Sequence, residues 1–201
     1  MDSAYLYGAG GHAKVISDIL KSNNTFVVEI FDDNLEIDSL LDIPVVHDLV
    51  KSPLIISIGN NSIRKKVKDK LIDVSYISAL SNTATISSTV VIGLGSVVMQ
   101  GVIIQASATI GEHVIINTGA TIDHDCVVHD FVHIAPGSTI CGNVEIGEGT
   151  FIGAGTIIIQ GVKIGKWSVI GAGTVITQDI PDNVLAVGVP CKIKKYIENN
   201  E

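Results

Sequence analysis

Ile86-Ser-Ser-Thr-Val-Val-Ile92-Gly-Leu-Gly-Ser-Val-Val98-Met-Gln-Gly-Val-Ile-Ile104 opens a stretch that beats every six residues as far as Ile176. The beat falls on Ile86, Ile92, Val98, Ile104, Ile110, Ile116, Ile122 and Val128. It continues through Ile134, Ile140, Ile146, Ile152, Ile158, Ile164, Ile170 and Ile176, so all sixteen positions are Ile or Val with no insertion. Two residues before each stands a small or β-branched residue, such as Ala84, Ser96, Cys126, Ser138 or Thr174. A fixed period of six is the signature of a β-helix. An amphipathic helix repeats at 3.6, and a plain strand alternates by two and then breaks at turns of variable length. Each hexad supplies one short strand and one corner, and three hexads close a triangular coil of eighteen residues. Gly follows the beat at Gly93, Gly111, Gly147, Gly153, Gly165 and Gly171, which is expected to free the corner for positive φ.

Outward from this stretch, the chain has 201 residues, a formal charge of −8 and a pI near 5.1. That balance argues against nucleic acid or an anionic membrane surface as partner. No run of eighteen apolar residues predicts a membrane span, and the opening Met-Asp-Ser-Ala does not read as a signal peptide. Three cysteines, Cys126, Cys141 and Cys191, without close pairs predict neither a disulfide framework nor a zinc knuckle, and a reducing cytoplasm is the expected compartment.

Residues 1–78 read as a small α/β unit with a parallel sheet. Strands are expected over Ala4–Tyr7, Phe26–Phe31, Leu54–Ile58 and Val74–Ile77. Helices are expected after Ala13, with Val15, Ile16, Ile19 and Leu20 on one face, and through Ile63, Val67 and Leu71, with a further short helix around Leu35–Leu41. Residues 79–201 hold the repeat and a cap, in which Val187–Lys192 gives a closing strand and turn and Lys194–Asn199 a short charged helix. No Gly/Ser-rich linker separates the two domains, so they are expected to pack firmly.

Gly8-Ala-Gly10-Gly11-His12-Ala13 follows a strand and opens a helix, and Asp32-Asp33 ends the next strand. Taken alone this is a dinucleotide fingerprint. Gly10 and Gly11 let a pyrophosphate reach the helix N-terminus, and Asp32 or Asp33 accepts from a ribose or sugar hydroxyl. The unit is about half a dinucleotide fold, with no second mononucleotide half and no domain for hydride transfer. A nucleotide sugar fits better, and a purely structural tight turn is the plain alternative.

The prism turns polar in Asn117-Thr-Gly-Ala-Thr-Ile-Asp123-His124-Asp125-Cys126, followed by His129 and His133. A solvated corner accounts for a lone histidine. A carboxylate beside an imidazole orients its tautomer and raises its basicity, which suits a general base near neutral pH. One coil on from His124 is Gly142, whose N–H is a candidate donor to developing negative charge.

GAGGHAKV, DD, IGNNSIR, NTGATIDHDC with FVHIAPG, and VGVPCK, in this order, resemble the sialic acid O-acetyltransferase and bacillosamine N-acetyltransferase family over essentially the whole chain. The resemblance implies a left-handed parallel β-helix behind a Rossmann-like N-terminal domain; general chain physics favours right-handed crossovers, so the hand comes from the family. It implies a homotrimer, acetyl-CoA as co-substrate in the groove between neighbouring prisms, no metal, and a nucleotide-linked amino sugar in the N-terminal domain. By matching position, His124 is the general base and Asp125 stands where some members carry Glu. Asn117 and His133 lie near the thioester and the acetyl-CoA arm, and Ala154 and Ala172 line the pantetheine groove. Gly10, Gly11, His12, Asp32, Asp33 and Gly59 match the sugar-nucleotide pocket, with Asn60 and Arg64 beside it and Arg64 available to phosphate.

The resemblance implies N-acetylation of a nucleotide-linked 4-amino sugar by direct attack, with no Ser or Cys nucleophile. O-acetylation of sialic acid or a related sugar is the alternative. Two readings of another class remain: a zinc carbonic anhydrase drawing on His113, His124, His129 and His133, and a non-catalytic nucleotide-sugar sensor.

Overall fold

The computed structural model describes residues 2–197. The hexad beat becomes three ladders of two-residue strands, each strand pairing in parallel with the one eighteen residues on, as Thr121 does with Ile103 and Thr139. The first face runs from Thr85–Ile86 to Val175–Ile176 in six strands, and the second from Val91–Ile92 to Lys163–Ile164 in five. The third begins at Ala79–Leu80 and has eight, the last two being the closing hairpin Val184–Val187 and Lys192–Tyr196. The beat residues point inward and form one continuous buried column with the small residues two positions before them. Buried hydroxyls in the column are satisfied by carbonyls one coil on: Ser96 donates to Gly111 at 2.8 Å and Thr150 to Gly165 at 2.6 Å. That removes the cost of burying them.

The glycines that follow the beat owe their place to a different cause from the one the sequence suggests. Positive φ falls instead three residues after the beat, without a break from Gly95 to Gly173, and is taken by Ser107, His113, Asp125, Phe131, Asn143 and Trp167 as well as Gly. At Gly93, Gly147 and Gly153 a Cβ would stand 2.5–2.7 Å from a backbone nitrogen of the next coil. Close stacking of coils, not left-handed backbone, excludes side chains there.

The N-terminal unit contains β1 (Asp2–Tyr7), α1 (Gly11–Ser22), β2 (Thr25–Phe31), β3 (Ser39–Leu40), β4 (Ile43–Val46), β5 (Leu54–Ile56) and α2 (Asn61–Lys70). Its sheet has the order β3-β4-β2-β1-β5, parallel except for β3. The helix expected around Leu35–Leu41 is therefore wrong. The chain makes an antiparallel β3–β4 pair there, because Leu41 and Asp42 take positive φ and turn it back. The strand expected over Val74–Ile77 shrinks to a single bridge between Tyr76 and Leu54. The closing helix expected over Lys194–Asn199 is a strand as far as Tyr196, paired with Val184–Val187; Glu198 and Asn199 lie outside the described residues.

The unit sits on the third face. Ala13, Ile16, Ile19 and Leu20 of α1 share a core with Ala79, Val97, Met99 and Ile115 of the prism. Arg64 completes the seam. Nε donates to the carbonyl of His113 and Nη2 to that of Phe131, both at 2.8 Å. Nη1 reaches the carbonyls of Ile58 and Gly59, and Nη2 also reaches Asn61 Oδ1. Asn61 in turn donates to Gly149 and Thr150. Beside them the His113 ring stacks on Phe131 at 5.3 Å and meets Tyr76 edge-on at 4.6 Å.

Candidate functional site

Two groups of side chains carry chemistry, and they sit on different edges of the prism. The first lies where β1 and β5 leave the sheet on opposite sides, the usual crevice for a ligand in an open α/β sheet. Tyr7, Gly8, Gly10, Gly11, His12, Asp32, Asp33, Ser57, Ile58 and Gly59 enclose about 330 Å³ there. A Cβ at Gly10, Gly11 or Gly59 would meet nothing within 4 Å, so these glycines leave space open towards the cavity. The α1 N-terminus has no side-chain cap and no acidic residue in its first turn, which leaves its N–H groups to an anion.

Asp32 is occupied by main chain: Oδ2 accepts from Ala9 N at 2.6 Å and Oδ1 from Asn34 N at 2.9 Å. It thereby holds the glycine loop against the end of β2. Asp33 Oδ2 accepts from the Tyr7 hydroxyl at 2.9 Å, leaving Oδ1 for a ligand. Burial, reinforced by Asp33, pushes the Tyr7 pKa up to about 12. Ser57 Oγ reaches the carbonyls of Tyr7 and Gly8, pinning β1 to β5. Tyr7, Ser57 and Ile58 were not singled out from the sequence; the only signal was a polar residue closing the apolar run Leu54–Ile56.

His12 Nε2 is buried without a hydrogen-bond partner among the described residues. Burial, with His133 and Arg64 nearby, pulls its pKa down to about 4, so the ring is neutral at physiological pH. Asn60 caps α2, its Oδ1 accepting from Ile63 N at 3.0 Å, and faces a second cavity of about 320 Å³ with Phe151 and Trp167. Arg64 is a correction. It is fully buried with its donors on protein acceptors, so it locks the Ile58–Gly59 turn to the prism and offers nothing to a phosphate.

His133 stands on the third face, half-buried. A carbonyl only accepts, so the contact of Nδ1 with Gly59 O at 3.1 Å places the proton on Nδ1. Nε2 then accepts from Asn117 Nδ2 at 3.3 Å, while Asn117 Oδ1 takes the Thr118 N–H at 2.8 Å. Burial pulls the His133 pKa down to about 4. Asn117 begins the corner that also carries Ala154 and Ala172, both exposed and stacked one coil apart, with Gly173 N donating to Ala154 O at 2.8 Å.

The second group is on the next corner, past Thr121–Ile122. His124 Nδ1 meets Asp125 Oδ2 at 2.8 Å, with the two side chains 55% and 53% exposed. The carboxylate only accepts, so Nδ1 carries the proton and Nε2 presents its lone pair outward. Asp125 reaches back because its φ is 59°, a conformation Asp tolerates better than most residues. The hydrogen bond to Asp125, and then the charge of Asp123, raise the His124 pKa. Gly142 lies directly under the imidazole: a Cβ there would stand 2.7 Å from Cε1 and 2.8 Å from Nε2. Its N–H has no partner among the described residues. Cys126 is packing, with its thiol on the Cys141 carbonyl inside the column.

The four histidines weighed as zinc ligands are scattered: His113 is buried in the domain seam, and His129 pairs with Glu145 at 3.1 Å. Among the described residues no three His, Cys, Asp or Glu side chains converge. No helix among them is long and apolar enough to cross a membrane.

Residues 3–71 match the PglD N-terminal domain, and three overlapping windows, 107–142, 125–160 and 143–178, match bacterial transferase hexapeptide repeats. Among solved structures, a mutant of perosamine N-acetyltransferase from Caulobacter crescentus, in complex with CoA and GDP-perosamine, is 39% identical with a TM-score of 0.91, covering 97% of this chain and 98% of that one. The acetyltransferase domain of PglB from Neisseria gonorrhoeae, with acetyl coenzyme A, is 34% identical at a TM-score of 0.90, over 95% and 98% of the two chains. WeeI from Acinetobacter baumannii is 27% identical at 0.87, over 96% and 100%. An uncharacterized protein of Acanthamoeba polyphaga mimivirus is 38% identical over 100 residues, 47% of this chain, which spans only 20% of that relative.

Proposed function

The chain belongs to the hexapeptide-repeat sugar acetyltransferases with a PglD-type N-terminal domain, and from that premise we propose that it N-acetylates a nucleotide-linked 4-amino sugar with acetyl-CoA. The observation that carries the mechanism is an exposed imidazole with its proton fixed on Nδ1 by Asp125, its Nε2 lone pair free, and an unpaired Gly142 N–H beneath it. The sugar nitrogen attacks the thioester carbonyl carbon. The new C–N bond forms as Nε2 of His124 takes a proton from that nitrogen. The C–S bond then breaks, and the same proton passes to the sulfur as CoA leaves as thiol. The Gly142 N–H is the donor to the tetrahedral oxyanion. Holding both substrates in register supplies a large part of the acceleration.

The nucleotide end fits the first cavity. The open glycines and the uncapped α1 N-terminus take the diphosphate, Asp33 takes a hydroxyl, and the neutral ring of His12 faces the sugar. Acetyl-CoA lies along the corner of Asn117, Ala154 and Ala172. Within one protomer this corner and His124 stand at opposite edges of the first face. Outward on that face are Ile103, Thr121, Thr139, Ile157 and Val175, an uncharged ladder that the N-terminal unit leaves uncovered. A second copy packed there brings its His124 to the first copy's thioester, which supports the homotrimer.

The deciding experiment is a thiol-release assay with acetyl-CoA against GDP- and UDP-linked 4-amino sugars and free sialic acid. Release with a nucleotide amino sugar is expected. His124→Ala is expected to lower turnover by orders of magnitude with little change in acetyl-CoA affinity. Release with sialic acid alone would instead establish O-acetylation, and no release with any acceptor would refute acetyl transfer to sugars.

A further inference from the structure

The four parallel strands of the N-terminal sheet end on one line. Ile56 of β5 pairs with Tyr7 of β1, Tyr7 with Phe31 of β2, and Phe31 with Val46 of β4. Neighbouring strands stand about 4.8 Å apart, so the line spans about 14 Å. The residues just past it follow in the order Gly59, the glycine loop, Asp32–Asp33 and His47. The first three line the nucleotide-sugar cavity, and His47 continues the line beyond it. The His47 side chain is exposed yet held, with Nδ1 2.8 Å from the carbonyl of Asp32. A carbonyl only accepts, so Nδ1 carries the proton and Nε2 presents its lone pair. Asp32 N donates to the Val46 carbonyl at 3.2 Å, and Asp32 Oδ2 accepts from Ala9 N at 2.6 Å. Asp32 thus fixes the glycine loop on one side and the imidazole on the other.

We propose that His47 reads the nucleobase of the nucleotide sugar, its Nε2 accepting a ring N–H from the edge of the base. The proposal rests on the nucleotide-sugar reading above. Such a ligand is linear, running sugar, diphosphate, ribose, base. Its sugar lies at the prism end of the line, where the Gly59 carbonyl meets His133 at 3.1 Å beside Asn117. The diphosphate then falls at the uncapped N-terminus of α1, and the ribose at Asp33, whose Oδ1 is open. One direction is left for the base, on towards the end of β4, and His47 stands there. The reverse orientation would carry the amine away from the prism and from any thioester lodged on it. Guanine and uracil each present a ring N–H on the edge remote from the ribose, and that edge is what a side chain reads on an unpaired base. Both therefore suit a fixed acceptor.

The test is titration calorimetry on the full chain with GDP, UDP and ribose 5-diphosphate, the last being the same ligand without its base. The GDP and UDP arms tell guanine from uracil. Wild type is expected to bind the preferred nucleotide at least about fivefold more tightly than ribose 5-diphosphate, the worth of one ordinary hydrogen bond. In His47→Ala that preference should fall by about fivefold, with ribose 5-diphosphate bound as before. The KM for the nucleotide amino sugar that supports thiol release should rise by the same factor. A merely structural role, exerted through the Asp32 carbonyl, would weaken all three ligands alike and leave the preference intact, which overturns the proposal. Methylating the ring nitrogen of the preferred base removes the N–H without touching the protein, and decides the matter if the variant fails to fold. It should cost wild type the same factor, and no cost overturns the proposal. Thiol release with a KM that ignores His47→Ala would reject the base contact and leave acetyl transfer standing. Failure of GDP, UDP and ribose 5-diphosphate all to bind would reject the nucleotide-sugar reading as well.

Discussion

Adding one methyl group beneath the imidazole separates catalysis from folding. In Gly142→Ala the new Cβ would stand 2.7 Å from Cε1 of His124 and 2.8 Å from Nε2. An ordinary contact needs about 3.5 Å, so the ring must retreat by about 0.8 Å. Gly142 has no positive φ, so Ala fits its backbone. The side chain of His124 is 55% exposed and free to swing into solvent. The cost to stability is therefore small, within about 0.5 kcal/mol as for surface substitutions. The cost to turnover is not. A displacement approaching 1 Å at the reacting group lowers rate by about 10²-fold, and the swing also opens the 2.8 Å bond to Asp125. Thiol release and thermal denaturation of the same preparation measure the two effects. A folded Gly142→Ala protein with wild-type turnover would refute the placement of His124 as base, because the imidazole cannot stay where it is.

Two further outcomes depend on pH. The base works unprotonated, and its pKa lies above the ordinary 6.5 because Asp125 accepts from it, so kcat/KM is expected to fall as pH drops through a midpoint above 6.5. In Asp125→Ala that midpoint should move down towards 6.5 and the plateau should drop; a pH–rate profile with an unmoved midpoint would reject the pairing. Separately, His12, His113 and His133 are each held near a pKa of 4 by burial against an ordinary 6.5. Between those values the unfolded chain binds more protons than the folded one. Stability is therefore fully present above about pH 6.5 and lost as pH falls towards 4, by up to about 1.4 kcal/mol per pH unit for each histidine. Urea denaturation midpoints measured from pH 7 to pH 4.5 should decline, and a flat profile would show that these rings are not buried neutral.

How much was legible differs sharply between the halves of the chain. The prism was readable because a coil of fixed length forces identical contacts every eighteen residues, so the pattern repeats until noise is excluded. Its strand positions, its inward column and the stacking of Gly142 on His124 all follow from counting. The same counting misjudged why glycine follows the beat, since distance between neighbouring coils leaves no mark in the sequence. The N-terminal unit was readable where apolar runs end in glycine or aspartate, and misread over Leu35–Leu41, where a short edge hairpin has no period to betray it. The cap was misread for a similar reason. Lys192–Tyr196 is an exposed edge strand, and charge density there suggested a helix.

The sequence by itself determined the solenoid, the identity of the open-glycine loop and the His124–Asp125 pair, because each rests on residues close together in the chain or locked by a constant period. Only the tertiary structure decided where the side chains of Arg64 and His133 find their partners. Arg64 was assigned to a phosphate from its motif, yet it is enclosed by carbonyls of two domains, and His133 touches both the Gly59 carbonyl and the Asn117 amide. The physical reason is that a polar side chain's role is set by which partners desolvate it, and the partners across the domain seam lie 49 to 74 residues away in the chain.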